Sequence, residues 1–310
     1  MALMANSQPP SPLRLSSASA SASTLSLVSG RTTSPDCLPR SQKHSFQNIR
    51  TPRYVGDHYP LIRTISPHLI PAHVAKDHSA IFCARSMAQM HNTVIRAINS
   101  SYNHALAVRF EDADDFLFFN KQLCAMIRHH QTTTDTYLFP AIEKLLLSKT
   151  GGDMNISSKI AEHERFMHSF KLFEAYVQRT KPAEYVGRTF RHLIESFAPR
   201  LIQHLHDEIP VLTSAWVLDS GELMKAWKKS HEKASRRAGS QVQACWVLGC
   251  QDRSFQVDGR ACEFPNVTGL VHWLVGRLYG KKHERAWRWC PSDLQGRRRL
   301  LPPEFACIAR

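Results

Sequence analysis

Five residues of this chain have the types and spacing to act together: His91, His130, His163, His204 and Glu208. Imidazole nitrogens and carboxylate oxygens are the donors from which first-row metal sites are assembled. Glu208 follows His204 by four residues, and positions four apart share one helical face. Each histidine falls near the middle of an apolar pattern of helical period, so each is expected to point into a core. A lone histidine in that setting is more often a hydrogen-bonded core residue than a ligand. Four of them on separate stripes, with a carboxylate, are hard to explain one at a time. Ionisable groups in an apolar interior are costly unless paired, hydrogen-bonded or bound to metal.

Four helices must carry these residues. The first is predicted over about 73–106, with Ala84, Met87, His91, Ile95, Ile98 and Tyr102 on its inner stripe. The second follows the acidic run Glu111-Asp112-Ala113-Asp114-Asp115, where the helix dipole favours negative charge, and extends to about Leu147. Its stripe is Phe116, Phe119, Leu123, Met126, His130, Thr134 and Tyr137, and Pro140 must kink or break it near Phe139. A loop over 148–153 precedes a third helix at about 155–179, with Ile156, Ile160, His163, Phe166 and Phe170 on one face. The fourth spans about 183–218 with Phe190, Ile194, Phe197, Leu201, His204, Glu208 and Val211, and Pro210 should bend it near Glu208. Four amphipathic helices and short loops predict an all-α, up-down-up-down four-helix bundle whose mid-stripe residues meet at the axis. The phenylalanines are expected to form the core and keep the site dry. Arg96 and Asn99, close to His91, either orient ligands or face solvent. His129, His168 and His206 lie off the stripes.

Several stretches resemble the hemerythrin-like (HHE cation-binding) family, in the extended form found in filamentous fungi. They are Met90-His91-Asn92-Thr93-Val94-Ile95-Arg96, His129-His130 followed by Tyr137-Leu138-Phe139-Pro140, Glu162-His163-Glu164-Arg165-Phe166, and His204-Leu205-His206-Asp207-Glu208. Order and spacing match across about residues 75–218. Ala286-Trp287-Arg288-Trp289-Cys290 and Gly296-Arg297-Arg298-Arg299-Leu300 resemble the ending of the extended members. The resemblance implies a four-helix bundle with a non-haem di-iron centre, mostly histidine ligands and two bridging carboxylates. His91, His130, His163, His204 and Glu208 match ligand positions.

The chain departs from the family in its second helix, where the pattern is His-x-x-x-Glu. The Glu position is Thr134, followed by Asp135, and the second His of the common His-His pair is Gln131. Asp135 lies five residues after His130, about 140° around an ideal helix. It is a candidate sixth ligand if the helix is rewound there, for example by a π-bulge. In the third helix Met167 stands where some members carry another histidine. With Glu208 as the remaining bridge, a second iron should bind more weakly, and imidazole-rich sites also suit zinc, copper and nickel.

The rest of the chain frames this region. Residues 1–56 are rich in Ser and Pro, carry six Lys/Arg and the single acid Asp36, and are expected to be a disordered tail. Residues 57–218 form the bundle and 219–310 a basic extension beside it, with 17 Lys/Arg against 7 Asp/Glu in residues 225–310 of a chain with net charge +14. No apolar run approaches the roughly 20 residues needed to cross a bilayer, so the chain is read as soluble. The acid-poor start leaves mitochondrial targeting as an alternative to a cytoplasmic location. Cys83 and Cys124 fall in helical stretches as small hydrophobes. Nucleic-acid binding would need a folded basic face with stacking aromatics. Trp287 and Trp289 lie near Lys281, Lys282 and Arg285, yet the expectation is against it. The predicted function is binding of iron (one or two ions, with zinc or another divalent metal as the alternative) and of O2, NO or a similar diatomic ligand. The competing reading is a metal-free bundle serving as an interaction scaffold. No residue set specifies a substrate or a reaction.

Overall fold

The computed structural model describes residues 54–63, 65, 70–151, 156–235, 241–257, 260–261, 273, 275–277 and 280–302, with side chains omitted at 150, 156–165, 235, 241–242, 256–257 and 260–261. Most of the tail predicted over 1–56, and most of the helical segment predicted over 267–279, lie outside the described residues.

Helix α1 covers Ser79–His104. It begins six residues later than its periodicity suggests, because Nδ1 of His78 accepts the Ala80 N–H at 3.1 Å and caps the first turn. Helix α2, Ala113–Thr133, starts with Asp114 and Asp115 in its first turn, where acids offset the positive end of the helix. A π-helical turn, Thr134–Leu138, follows, then α3, Phe139–Thr150, which ends at the left-handed Gly151. The anticipated break near Phe139 is thus a wide turn inside a continuous helical path. Pro140 cannot donate to the preceding turn and its ring crowds it. The Thr134 hydroxyl also bonds the carbonyls of His130 and Gln131, both at 3.2 Å, a competition that loosens regular α geometry.

Helix α4 is Ile156–Arg179 and helix α5 is Gly187–Ser214, with Pro199 and Pro210 inside it. Each of α1 and α4 packs against both α2 and α5. Gly187 starts α5 directly against α1, since a Cβ there would collide with the Ala105 carbonyl. Two apolar clusters fill the interior. One joins Val94–Tyr102 of α1, Phe116, Phe119 and Leu123 of α2, Phe166, Phe170 and Phe173 of α4, and Phe190 to Leu205 of α5. The other joins Ala80–Ala88 of α1 with Leu138, Phe139 and Ile142 and the end of α5. Each fully buried phenylalanine contributes about 2–3 kcal/mol. His91, His130 and Glu208 fall in the seam between the clusters on all three of their helices.

The segment after the bundle folds against it. Helix α6, Ser220–Ser235, lies against α1, α2 and α3, with Ser220 Oγ accepting the Ser79 N–H at 3.0 Å. Helix α7, Gln241–Cys250, meets α1 and α2. Short strands β1 (Gln256–Val257) and β2 (Arg260–Ala261) pair antiparallel. Trp287 and Trp289 are buried in the first cluster, Trp289 edge-on to Phe116 at 5.1 Å, so neither presents a face for base stacking. Arg285 pairs with Asp115 at 2.9 Å and Arg288 with Asp112. The acids that begin α2 therefore also anchor the basic extension. Buried, reduced Cys83 and Cys124 behave as hydrophobes, burial pushing both thiols up.

Arg96 and Asn99 serve neither of the roles the sequence suggested. Arg96 is buried and donates to the Cys250 carbonyl at 3.2 Å and to Ser292 Oγ at 2.7 Å. Asn99 accepts the Tyr59 N–H and donates to the Gly56 carbonyl, both at 2.8 Å. They bind the segments before and after the bundle to α1.

Candidate metal centre

The site is assembled from three helices. His91 comes from α1 and His130 from the last turn of α2. His204 and Glu208 stand one turn apart on α5. Glu208 and His91 are completely buried and His130 and His204 nearly so. One carboxylate oxygen of Glu208, Oε2, lies 3.0 Å from His91 Nε2 and 3.2 Å from His130 Nε2. The other, Oε1, lies 3.1 Å from His204 Nε2. The His91 and His130 rings stand nearly perpendicular with centroids 4.8 Å apart.

The protonation of His91 can be read from its partners. Its Nδ1 lies 2.7 Å from the Leu205 carbonyl. A carbonyl only accepts, so Nδ1 carries the proton and Nε2 presents a bare lone pair in the neutral ring. Burial, offset by contact with Glu208 and aided by the neighbouring His130, lowers the His91 pKa to about 4. Burial alone would raise the Glu208 pKa. Attraction to His130 and close contacts with His130, His204 and His91 outweigh it and hold the carboxyl well below its usual range. For His91 and Glu208 the direction is neutral imidazole facing ionised carboxylate, the state metals require of their ligands.

His91 Nε2, His130 Nε2 and Glu208 Oε2 are buried and none has a hydrogen-bond partner. Ligand atoms converging this closely in a dry interior suit a cation between them. Among the described residues these three form the group of ligating atoms within 4.8 Å of one another. The donor set of two imidazoles and a carboxylate fits a first-row metal ion.

The remaining predicted residues are placed as follows. His163 is on α4, and its side chain lies outside the described residues. Asp135 sits in the π-helical turn that the His130-to-Asp135 spacing called for, half-buried, with the Thr134 hydroxyl 3.2 Å from its Oδ1. It is not one of the three grouped ligands. The other departures meet each other, Gln131 Nε2 lying 2.9 Å from Met167 Sδ. Neither residue type signals that contact in sequence, because the two are brought together only by packing of α2 on α4. His168 is exposed, and His206 is 3.3 Å from the Pro60 carbonyl.

Imidazoles from separate helices closed around one buried carboxylate define the class: a helical bundle built to hold a cation in its interior. The chain belongs to the hemerythrin family, whose HHE cation-binding domain model matches residues 84–212. It is similar to the dimeric xanthone biosynthesis cluster protein R11 of a Cryptosporiopsis species, 32% identical over 225 residues, covering 72% of this chain and 84% of that protein. No solved structure matches it.

Proposed function

We propose that this protein is a hemerythrin-like iron protein whose principal metal locus is formed by His91, His130 and Glu208 Oε2. The observation that carries this reading is the convergence of three buried ligating atoms, all within 4.8 Å of one another. His204, on Oε1, belongs to a second and weaker locus that His163 and Asp135 would complete. That locus lacks the carboxylate that the family pattern puts at Thr134, and Gln131 and Met167 are engaged with each other. Iron, when bound, would supply an open coordination position for O2 or NO. The protein's own part is to orient the rings, through contacts such as His91 Nδ1 to Leu205, and to exclude water with the phenylalanine cluster.

Full-length protein reconstituted anaerobically with ferrous iron should hold about one metal per chain by elemental analysis, and exposure to NO should give an iron-nitrosyl electron paramagnetic signal. Metal below about 0.2 per chain, unchanged by His204→Ala, would instead favour the scaffold reading. The xanthone biosynthesis cluster named for the relative suggests small-molecule biosynthesis as the setting for this chain too.

A further inference from the structure

His130 faces two ways. One face belongs to the metal group, and the ring also lines a cavity of about 500 Å³ bounded by α1, α2, α6 and α7. That volume lies within the roughly 300–1,000 Å³ of small-molecule sites and is far larger than a diatomic ligand needs. Its walls are mainly apolar. Phe82 of α1 stands edge-on to Trp227 of α6 at 6.4 Å, and Trp227 lies 4.1 Å from the ring of His231. Phe82 is 47% exposed, an aromatic surface at the cavity that a bound ring would cover. Met87 and Met126 add thioethers that adapt to flat ligands.

The polar groups are few and placed to orient. His231 Nδ1 lies 3.0 Å from the Trp227 carbonyl, so it donates there and leaves Nε2 as an acceptor for a hydroxyl. Gln89 and Arg85 also line the cavity. We propose that this cavity binds a planar, hydroxylated aromatic molecule, its ring against Phe82 and Trp227, its hydroxyl on His231, and one edge against His130. The inference extends the metal reading by placing an organic molecule beside a metal ligand, and it is testable without metal.

The probe is hydroxynaphthoate, with naphthoate as the analogue lacking the hydroxyl, titrated calorimetrically into the full-length chain, metal-free and iron-loaded. Hydroxynaphthoate should bind once per chain, and about tenfold more tightly than naphthoate, the value of one good hydrogen bond. Ser86→Trp, which fills the cavity from α1, should abolish binding. His231→Phe should bind the two probes equally. Absence of saturable binding up to about 1 mM, retention of binding in Ser86→Trp, or an unchanged preference in His231→Phe would each overturn the proposal. Should Ser86→Trp fail to fold, the His231→Phe comparison decides. Iron content measured on the same samples separates the two readings. Binding by an iron-free chain leaves this site standing without the metal centre, and iron without probe binding does the reverse.

Discussion

Glu208 carries the greatest chemical burden of any side chain here, because three imidazoles address its two oxygens. Glu208→Gln keeps the shape and removes the charge. Metal affinity should fall by at least about tenfold, the lower range for disturbing a metal's surroundings, read by competitive chelator titration. Thr134 is the complementary case. It is completely buried, four residues after His130, at the position where the family pattern places its second carboxylate. Thr134→Glu should raise bound iron from about one toward two per chain, measured by elemental analysis. His104 gives a pH prediction away from the metal. Burial lowers its pKa to about 4, helped by Arg299 and Arg288 and opposed by the Ser100 carbonyl. The unfolded chain takes up this proton near pH 6.5 and the folded chain only near 4. Stability is therefore complete above about 6.5 and is lost as pH falls toward 4, by about 3 kcal/mol for this group. Melting temperature against pH should be flatter over that window in His104→Gln.

At the scale of the element, two features bear on the site. The π-helical turn between α2 and α3 exists because Pro140 and the Thr134 hydroxyl both work against regular α geometry. It shifts the angular position of the residues from Thr134 onward. Asp135 lies within that turn and outside the group of three ligating atoms, while His130 sits in regular α2. The second feature is the start of α5, where Gly187 permits contact with the Ala105 carbonyl and Tyr185 Oη donates to the same oxygen at 2.7 Å. Gly187→Ala should push the two helices apart. The expected loss is about 1–3 kcal/mol, measured by denaturant unfolding.

At the scale of the whole molecule, the segments flanking the bundle are part of its stability. α1 was read as having one buried stripe, yet Asn92, Arg96, Asn99 and Asn103 on its other faces all bond neighbouring segments. Arg96 bonds Cys250 and Ser292 at once. Removing it leaves their polar atoms buried and unpaired, a cost of about 2–4 kcal/mol. Arg96→Ala should lower the melting temperature and make residues beyond α7 the first cut in limited proteolysis. Helices α6 and α7 do more than cover the bundle, for they supply Trp227, His231 and Val247 to the cavity beside His130.

The sequence on its own carried the four amphipathic stripes, the histidine at the middle of each, and Glu208 one turn from His204. Side-chain periodicity records which face of a helix is buried, and that information is local. It also carried the missing carboxylate, since Thr134 departs from a spacing that a helix makes rigid. What only the tertiary structure decided is pairing: Oε2 with His91 and His130, Gln131 with Met167, and Arg96 with the C-terminal extension. These contacts join residues from about thirty to two hundred positions apart. Their partners are selected by how helices pack and by which buried polar atoms must be satisfied, and no period within a single segment encodes that choice.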